Sequence, residues 1–301
     1  MTLIIKNISL IMLCVNINYA QDDFSFDEDF SFEDDNPVTF NSTRVISGHS
    51  VEVLPPQTFE MRIEHRFGDI AGSNGGYQTM FGFDNVSDMR IALEYGVNED
   101  LMLGFGRCKG TSQPYRSLLD GFVKYKVLSQ AKEQAPVSLT AVGGASFTYQ
   151  EASSDISSIS HFPETTHRLS YYTQLNIARR FGKILSVCLM PTFVHRNYVA
   201  ADDVNSLLSL GTAIRVRLSK KFFLLAEYYH CINEGDFRKN GYNNSLGLAL
   251  EWSTFGHNFT INFTNSKGLG ETQFIPYTFE NWSDGQFRLG FCVSRQFAIK
   301  K

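Results

Sequence analysis

The chain has 301 residues, 43% of them hydrophobic and 14% aromatic, with 26 Phe and 13 Tyr. After the first twenty residues no stretch approaches the roughly 18 consecutive apolar residues that a spanning helix needs, which excludes a bundle of transmembrane helices. The formal net charge of -4 hides an asymmetry: eight of the 31 acids lie within residues 22–35, and the chain from Asn36 onward is slightly basic. It has no basic stripe of the kind that binds nucleic acid.

Residues 1–20 carry Lys6, an apolar run from Ile8 to Val15 and a small residue, Ala20, at the end. That order predicts a secretory signal peptide. Cys14 lies inside the apolar run without the small residues a lipoprotein signal places before it, so no lipid anchor is expected. Residues 21–42 read as an acidic periplasmic tail. Its core, DDFSFDED followed by DFSFEDD, has too much charge and too few apolar contacts to fold alone. Phe24, Phe26, Phe30 and Phe32 either anchor a periplasmic partner or belong to a solvated tail. Residues 43–58 form a lead-in whose Val45, Ile46, Val51, Val53 and Leu54 suit ordered packing at the periplasmic mouth.

From residue 59 to the end the pattern alternates with period 2, which places successive side chains on opposite faces of a sheet. It resolves into twelve segments: 59–67, 87–96, 101–109, 118–128, 136–150, 168–181, 184–196, 207–218, 222–232, 242–253, 257–265 and 287–297. Most are near the 9 to 11 residues that a tilted strand needs to cross a bilayer. Leu208, Leu210, Ile214, Val216 and Leu218 share one face, and Ser209, Gly211, Ala213, Arg215 and Arg217 the other. Connections alternate as well: 68–86 is long and 97–100 short, 151–167 long and 182–183 short, 267–286 long and 254–256 short. Short turns on one side and long loops on the other are the habit of an antiparallel membrane barrel. The expected fold is therefore an all-β, up-and-down transmembrane barrel spanning residues 59–301, with both termini periplasmic in a Gram-negative outer membrane. Phe67, Tyr95, Tyr171, Phe181, Phe222, Tyr242 and Trp252 supply the interfacial aromatics.

The charged face of the first segment, Glu60, Arg62, Glu64 and Arg66, must point inward, since an Arg in lipid at mid-bilayer costs about 2–4 kcal/mol. If Phe67 lies opposite Ser87, then Glu64 faces Arg90 and Arg66 faces Asp88. With Lys124, Arg215 and Arg217, these residues (Arg62, Glu64, Arg66, Asp88, Arg90) are the lumen-lining candidates. Further inward charges are Asp120, Lys126, Arg180, Glu227, Glu251 and Arg288. Twelve strands make a cylinder roughly 24 Å across, leaving on the order of 12 Å once wall side chains are counted. Both a narrow pore and an occluded lumen fit that width.

Cys108, Cys188, Cys231 and Cys292 have no metal or redox spacing. They read as isolated wall thiols, with a disulfide pair as the alternative. The seven His residues are scattered without a triad signature; His161 and His167 flank Glu164 in a loop whose polar residues read as solvated. No catalytic residue, metal or cofactor is expected.

TRVISGHSVE at 43–52, MRIEHRFGDIAG at 61–72, DGFVKYKVL at 120–128, MPTFVHRN at 190–197 and NWSDGQFRLGF at 281–291 together resemble an uncharacterised outer-membrane β-barrel family of Bacteroidota. The resemblance covers residues 43–297 and implies a fold and an address, without a mechanism. A final strand ending at Phe297 is similar to the signal read by barrel-assembly machinery, although Arg295 interrupts it. Two roles stand open: a non-enzymatic, charge-lined pore or uptake channel, and a structural scaffold of an envelope complex with an occluded lumen. An outer-membrane lipase or protease is the remote third. Membrane lipid and barrel-assembly machinery are the expected partners.

Overall fold

The computed structural model describes residues 38–110, 116–130, 135–233, 235–239, 241–254 and 256–299. The expected signal peptide and the acidic repeat lie outside the described residues. Twelve strands are described: β1 (Thr58–Asp69), β2 (Val86–Gly96), β3 (Leu101–Lys109), β4 (Ser117–Leu128), β5 (Ser138–Thr148), β6 (Leu169–Phe181), β7 (Leu185–Arg196), β8 (Ser206–Arg217), β9 (Phe222–Cys231), β10 (Ser245–Thr254), β11 (His257–Thr264) and β12 (Arg288–Ala298). Each pairs antiparallel with the next, and β1 pairs with β12, so the sheet closes into a barrel without an edge. Closure pairs each strand on both sides, the condition for spanning hydrocarbon with strands.

Period-2 alternation sorts the wall, with the sign reversed relative to a water-soluble protein. Leu93 is 57% exposed and its neighbour Glu94 0%. Phe105, Leu208, Leu250 and Ile261 point outward in the same way, while Arg62, Arg90, Lys124 and Glu227 are buried. Only hydrocarbon outside and a polar interior make that arrangement favourable. Aromatic rings mark both rims. At the short-turn end Phe59 meets Tyr95 at 4.6 Å and Phe222 stacks on Trp252 at 6.1 Å. At the long-loop end Phe67 lies 4.8 Å from Phe83, and Trp282 stacks on Phe287 at 4.7 Å.

Register agrees with expectation up to a bulge. Glu64 lies opposite Arg90, but between His65 and Phe67 the pairing slips, placing Phe67 opposite Val86 instead of Ser87. The expected opposition of Arg66 and Asp88 is lost with it. A Cβ on Gly68 would come within 2.6 Å of the Asn85 Cβ, so the two chains approach too closely there for a regular ladder, and the extra residue, which lies on β2 between Met89 and Val86, bends that strand. Tyr242 also departs from expectation. It lies ahead of β10, in the preceding loop, where its ring sits 4.9 Å from Phe279 and under the Arg238 guanidinium at 4.2 Å.

The lumen is filled from both ends. Residues 38–56 run into it from the short-turn end, burying Phe40, Val45, Ile46, Val51 and Leu54. Thr39, Phe40 and Ser42, at the end of the expected tail, are buried too. From the opposite end the connection between β11 and β12 folds inward, and its helical turn Glu271–Phe274 is buried throughout.

Candidate functional site

The inserted segment doubles back within the barrel: Val45 N–H donates to Gly48 O at 2.9 Å, Ser50 N–H to Thr43 O at 3.0 Å, and Arg44 bridges His49. A folded-back chain about 10 Å across matches the width that a twelve-stranded wall leaves. Its tip is a cradle of amides. Ile46, Ser47 and Gly48 N–H groups, at 3.1, 2.9 and 3.1 Å, all donate to the Glu227 carboxylate on β9. Gly48 is required by space, because a Cβ there would lie 1.8 Å from the Tyr229 Oη.

Buried backbone groups outside a ladder still need partners, and here wall side chains provide them. Lys124 Nζ donates to Thr43 O at 2.9 Å, and Thr140 Oγ1 to Val51 O at 2.7 Å. Asn176 Nδ2 donates to Ser50 O at 2.9 Å, and Arg215 to Thr39 O at 3.1 Å and Asn41 Oδ1 at 2.6 Å. The apolar side of the segment packs on Met102, Phe122, Val142, Met190 and Tyr229. At the top the two intruding elements meet. Arg44 pairs with Glu271 at 3.3 Å, His49 Nε2 contacts Tyr172 Oη at 3.0 Å, and Arg66 joins Ser47 Oγ at 2.6 Å to the carbonyls of Ser266 and Gly268. Thr272 reaches Ser146 at 2.8 Å, and Phe274 meets Tyr229 edge-on at 4.9 Å. Burial, reinforced by the adjacent Arg44 charge, holds the His49 imidazole well below the usual histidine range. Burial raises the Glu271 carboxyl above its ordinary value against the opposing pull of Arg44.

The sequence candidates fall around this plug. Arg62, Arg66, Lys124 and Arg215 touch it directly; Arg62 donates to Ser42 Oγ at 2.6 Å and Thr43 Oγ1 at 3.0 Å. Glu64 and Arg90 form the expected pair at 2.7 Å, extended by Asp120 at 2.6 Å. Asp88 is buried near the long-loop end of β2, and Arg217 near the short turns, its Nε donating to Ser219 O at 3.0 Å. Sequence reasoning missed Glu271, Tyr172 and the pairing of Arg44 with His49. The contacts of Glu271, Arg44 and His49 lie off the alternating segments, and Tyr172 gains its role only from the plug that reaches it. In the loop between β5 and β6 His161 Nδ1 contacts Ser153 O at 2.8 Å, while the Glu164 amide donates to His167 Nδ1 at 3.2 Å. These are local turn contacts. Cys108, Cys188 and Cys292 are free and buried, and Cys231 is buried with its Sγ 3.6 Å from Ile275 O. Among the described residues no three potential ligands converge on a metal position.

A closed twelve-stranded wall, apolar outside and charged within, defines a membrane-bound β-barrel. A family model described as "Membrane bound beta barrel domain (DUF5777)" matches residues 40–297, and the chain belongs to that family. No curated protein matches the sequence. Among solved structures, the KdgM porin aligns at 10% identity and TM-score 0.48, over 80% of this chain and 99% of that one. The COG4313 outer membrane channel from Pseudomonas putida F1 aligns at 14% and 0.46, over 82% and 98%. The Acinetobacter baumannii outer membrane protein Omp33 aligns at 9% and 0.42, over 80% and 98%. These likenesses concern barrel form alone.

Proposed function

We propose that this protein is a non-enzymatic outer-membrane barrel whose lumen is closed at rest by its own N-terminal segment, with both termini in the periplasm. The observation that carries this reading is the amide cradle on Glu227, joined through Arg44 and Glu271 to the loop descending from the other side. A plug bound at tip, flanks and top leaves no straight path for a solute. The role that fits is structural, or gated by an event that withdraws the segment. The Bacteroidota address and assembly through the barrel machinery belong to the same reading.

The charged wall supports a second reading, an uptake channel. Arg62, Glu64, Arg66, Arg90, Lys124 and Arg215 would line the path if residues 38–56 withdrew, and their mixed signs suit a weakly selective, hydrated pore. Planar-bilayer recording decides between closure and standing conduction. The full mature chain is expected to be silent, and a variant lacking residues 38–54 to conduct steadily. Discrete openings of the full chain, equal in size to those of the deletion, would overturn the closed lumen.

A further inference from the structure

At the short-turn end of the barrel lies a cavity of about 330 Å³ lined by Arg180, Lys183, Arg215, Arg217, Lys220 and Lys221, with Val38, Asn41, Phe223, Ser253 and Thr254. Among its described lining residues there are six cationic side chains and no carboxylate. The mouth is shaped by the turns between β6 and β7, β8 and β9, and β10 and β11. Arg215 stacks over the Phe223 ring at 3.9 Å, which fixes its guanidinium on the cavity floor. So many cations around one concavity attract anions, because the low-dielectric walls focus their field, although Glu251 and Glu52 offset part of the Arg215 charge.

Val38, the first of the described residues, lines this cavity. Glu33, Asp34 and Asp35 precede it by three to five residues, a reach of at most about 18 Å in extended chain. We propose that the cavity is a carboxylate-binding site whose occupant is the acidic segment of residues 22–35 from the same chain. Tethering gives those carboxylates an effective concentration in the millimolar range or above at the site, which a free anion must outcompete. The eight acids of residues 22–35 are enough to match the mouth charge for charge, and the pairing would anchor the plug at its entrance. Docking of the acidic segment does not depend on whether the lumen conducts, so either can fail without the other.

Carbodiimide joins an amine to a carboxylate only at contact. Applied to the full mature protein, it is expected to link Lys183, Lys220 or Lys221 to Glu33, Asp34 or Asp35, with the yield lost at about 1 M salt. Mixing with an isotope-labelled copy should leave those links within one isotopic mass. Links confined to mixed pairs would assign the mouth to a second copy and overturn the proposal. Absence of links would do the same. As an independent measurement, dye-labelled pentaglutamate should bind the Glu33→Gln, Asp34→Asn, Asp35→Asn variant about tenfold more tightly than the parent, as expected when a tethered competitor is weakened. Equal binding to both would mean that the site receives a free anion and that residues 22–35 are not its occupant. Heat-dependent gel mobility checks that each variant has folded.

Discussion

The two faces of one wall obey different rules. Outside, Leu93, Phe105, Leu250 and Ile261 meet hydrocarbon, where any apolar side chain of suitable size serves. Inside, charges have particular partners: Arg90 with Glu64 and Asp120, Arg62 with Glu60 and residues of the plug, Glu227 with three plug amides. Hydrophobic contact is non-directional, whereas a buried charge without its partner carries most of its desolvation cost. The outer face therefore supplies insertion, and the inner face supplies uniqueness. A single inner substitution should cost more than a conservative outer one.

The largest effect is expected at the plug's upper contact. Arg44 and Glu271, 2% and 1% exposed, lie 3.3 Å apart, and Arg44→Ala leaves a buried acid without its cation. A loss of about 3–5 kcal/mol is expected, read from the urea midpoint of the folded, heat-modifiable band. Removing Glu271 as well should restore part of it, since the double variant no longer strands a charge. If Arg44→Ala costs no more than an outer Leu→Ile exchange, the contrast between the faces fails.

A comparable penalty should appear outside only when the rule of that face is broken. Leu93→Arg puts a guanidinium into lipid and should cost about 2–4 kcal/mol near mid-bilayer, whereas Leu93→Ile should cost less than about 1.5 kcal/mol. Refolding into vesicles at graded urea measures both. Tolerance of Arg at this position would place it at an interface and shift the apolar belt along β2.

The outer face was the legible one. Strict alternation exposes the lipid-facing residues of β8, β10 and β11 in the sequence, and the need to hide the charges of β1 is enough to place Glu64 across from Arg90. The plug is not legible in that way. TRVISGHSVE shows apolar content but no period, because its partners are a carboxylate on β9, a lysine on β4 and a glutamate in the last loop, contacts 81 to 227 residues away. The inward fold of residues 265–287 is hidden for the same reason, and the bulge after His65 depends on a close approach of Gly68 to Asn85 that no pattern announces.

Acidification probes the inner face more gently. His49 is buried with its pKa held well below the usual range, first by burial and then by Arg44, Lys124, Arg90 and Arg62. Tyr172 and Glu271, at 3.0 and 3.6 Å, complete its surroundings. The folded state keeps the ring neutral while the unfolded chain takes up a proton below about pH 6.5, so stability is fully present above that pH and falls as pH drops through it. The slope contributed by this one group is at most about 1.4 kcal/mol per pH unit. His49→Gln should flatten the urea midpoint between about pH 6.5 and 5.5; an unchanged slope would assign the acid sensitivity to the buried carboxylates.

The smallest effect is expected where an inward-facing position reaches the rim. Lys126 and Asp100, 3.5 Å apart, are 28% and 49% exposed at the turn end, so water already solvates both groups and removing one strands nothing. Lys126→Ala should cost less than about 1 kcal/mol and become undetectable at high salt. Set beside the Arg90 pair with Glu64, which has the same kind of charge pairing at 2.7 Å but is 1% and 4% exposed, it isolates burial as the variable. If both pairs respond alike to alanine and to salt, the inner face is hydrated along its whole length and the plug does not exclude water.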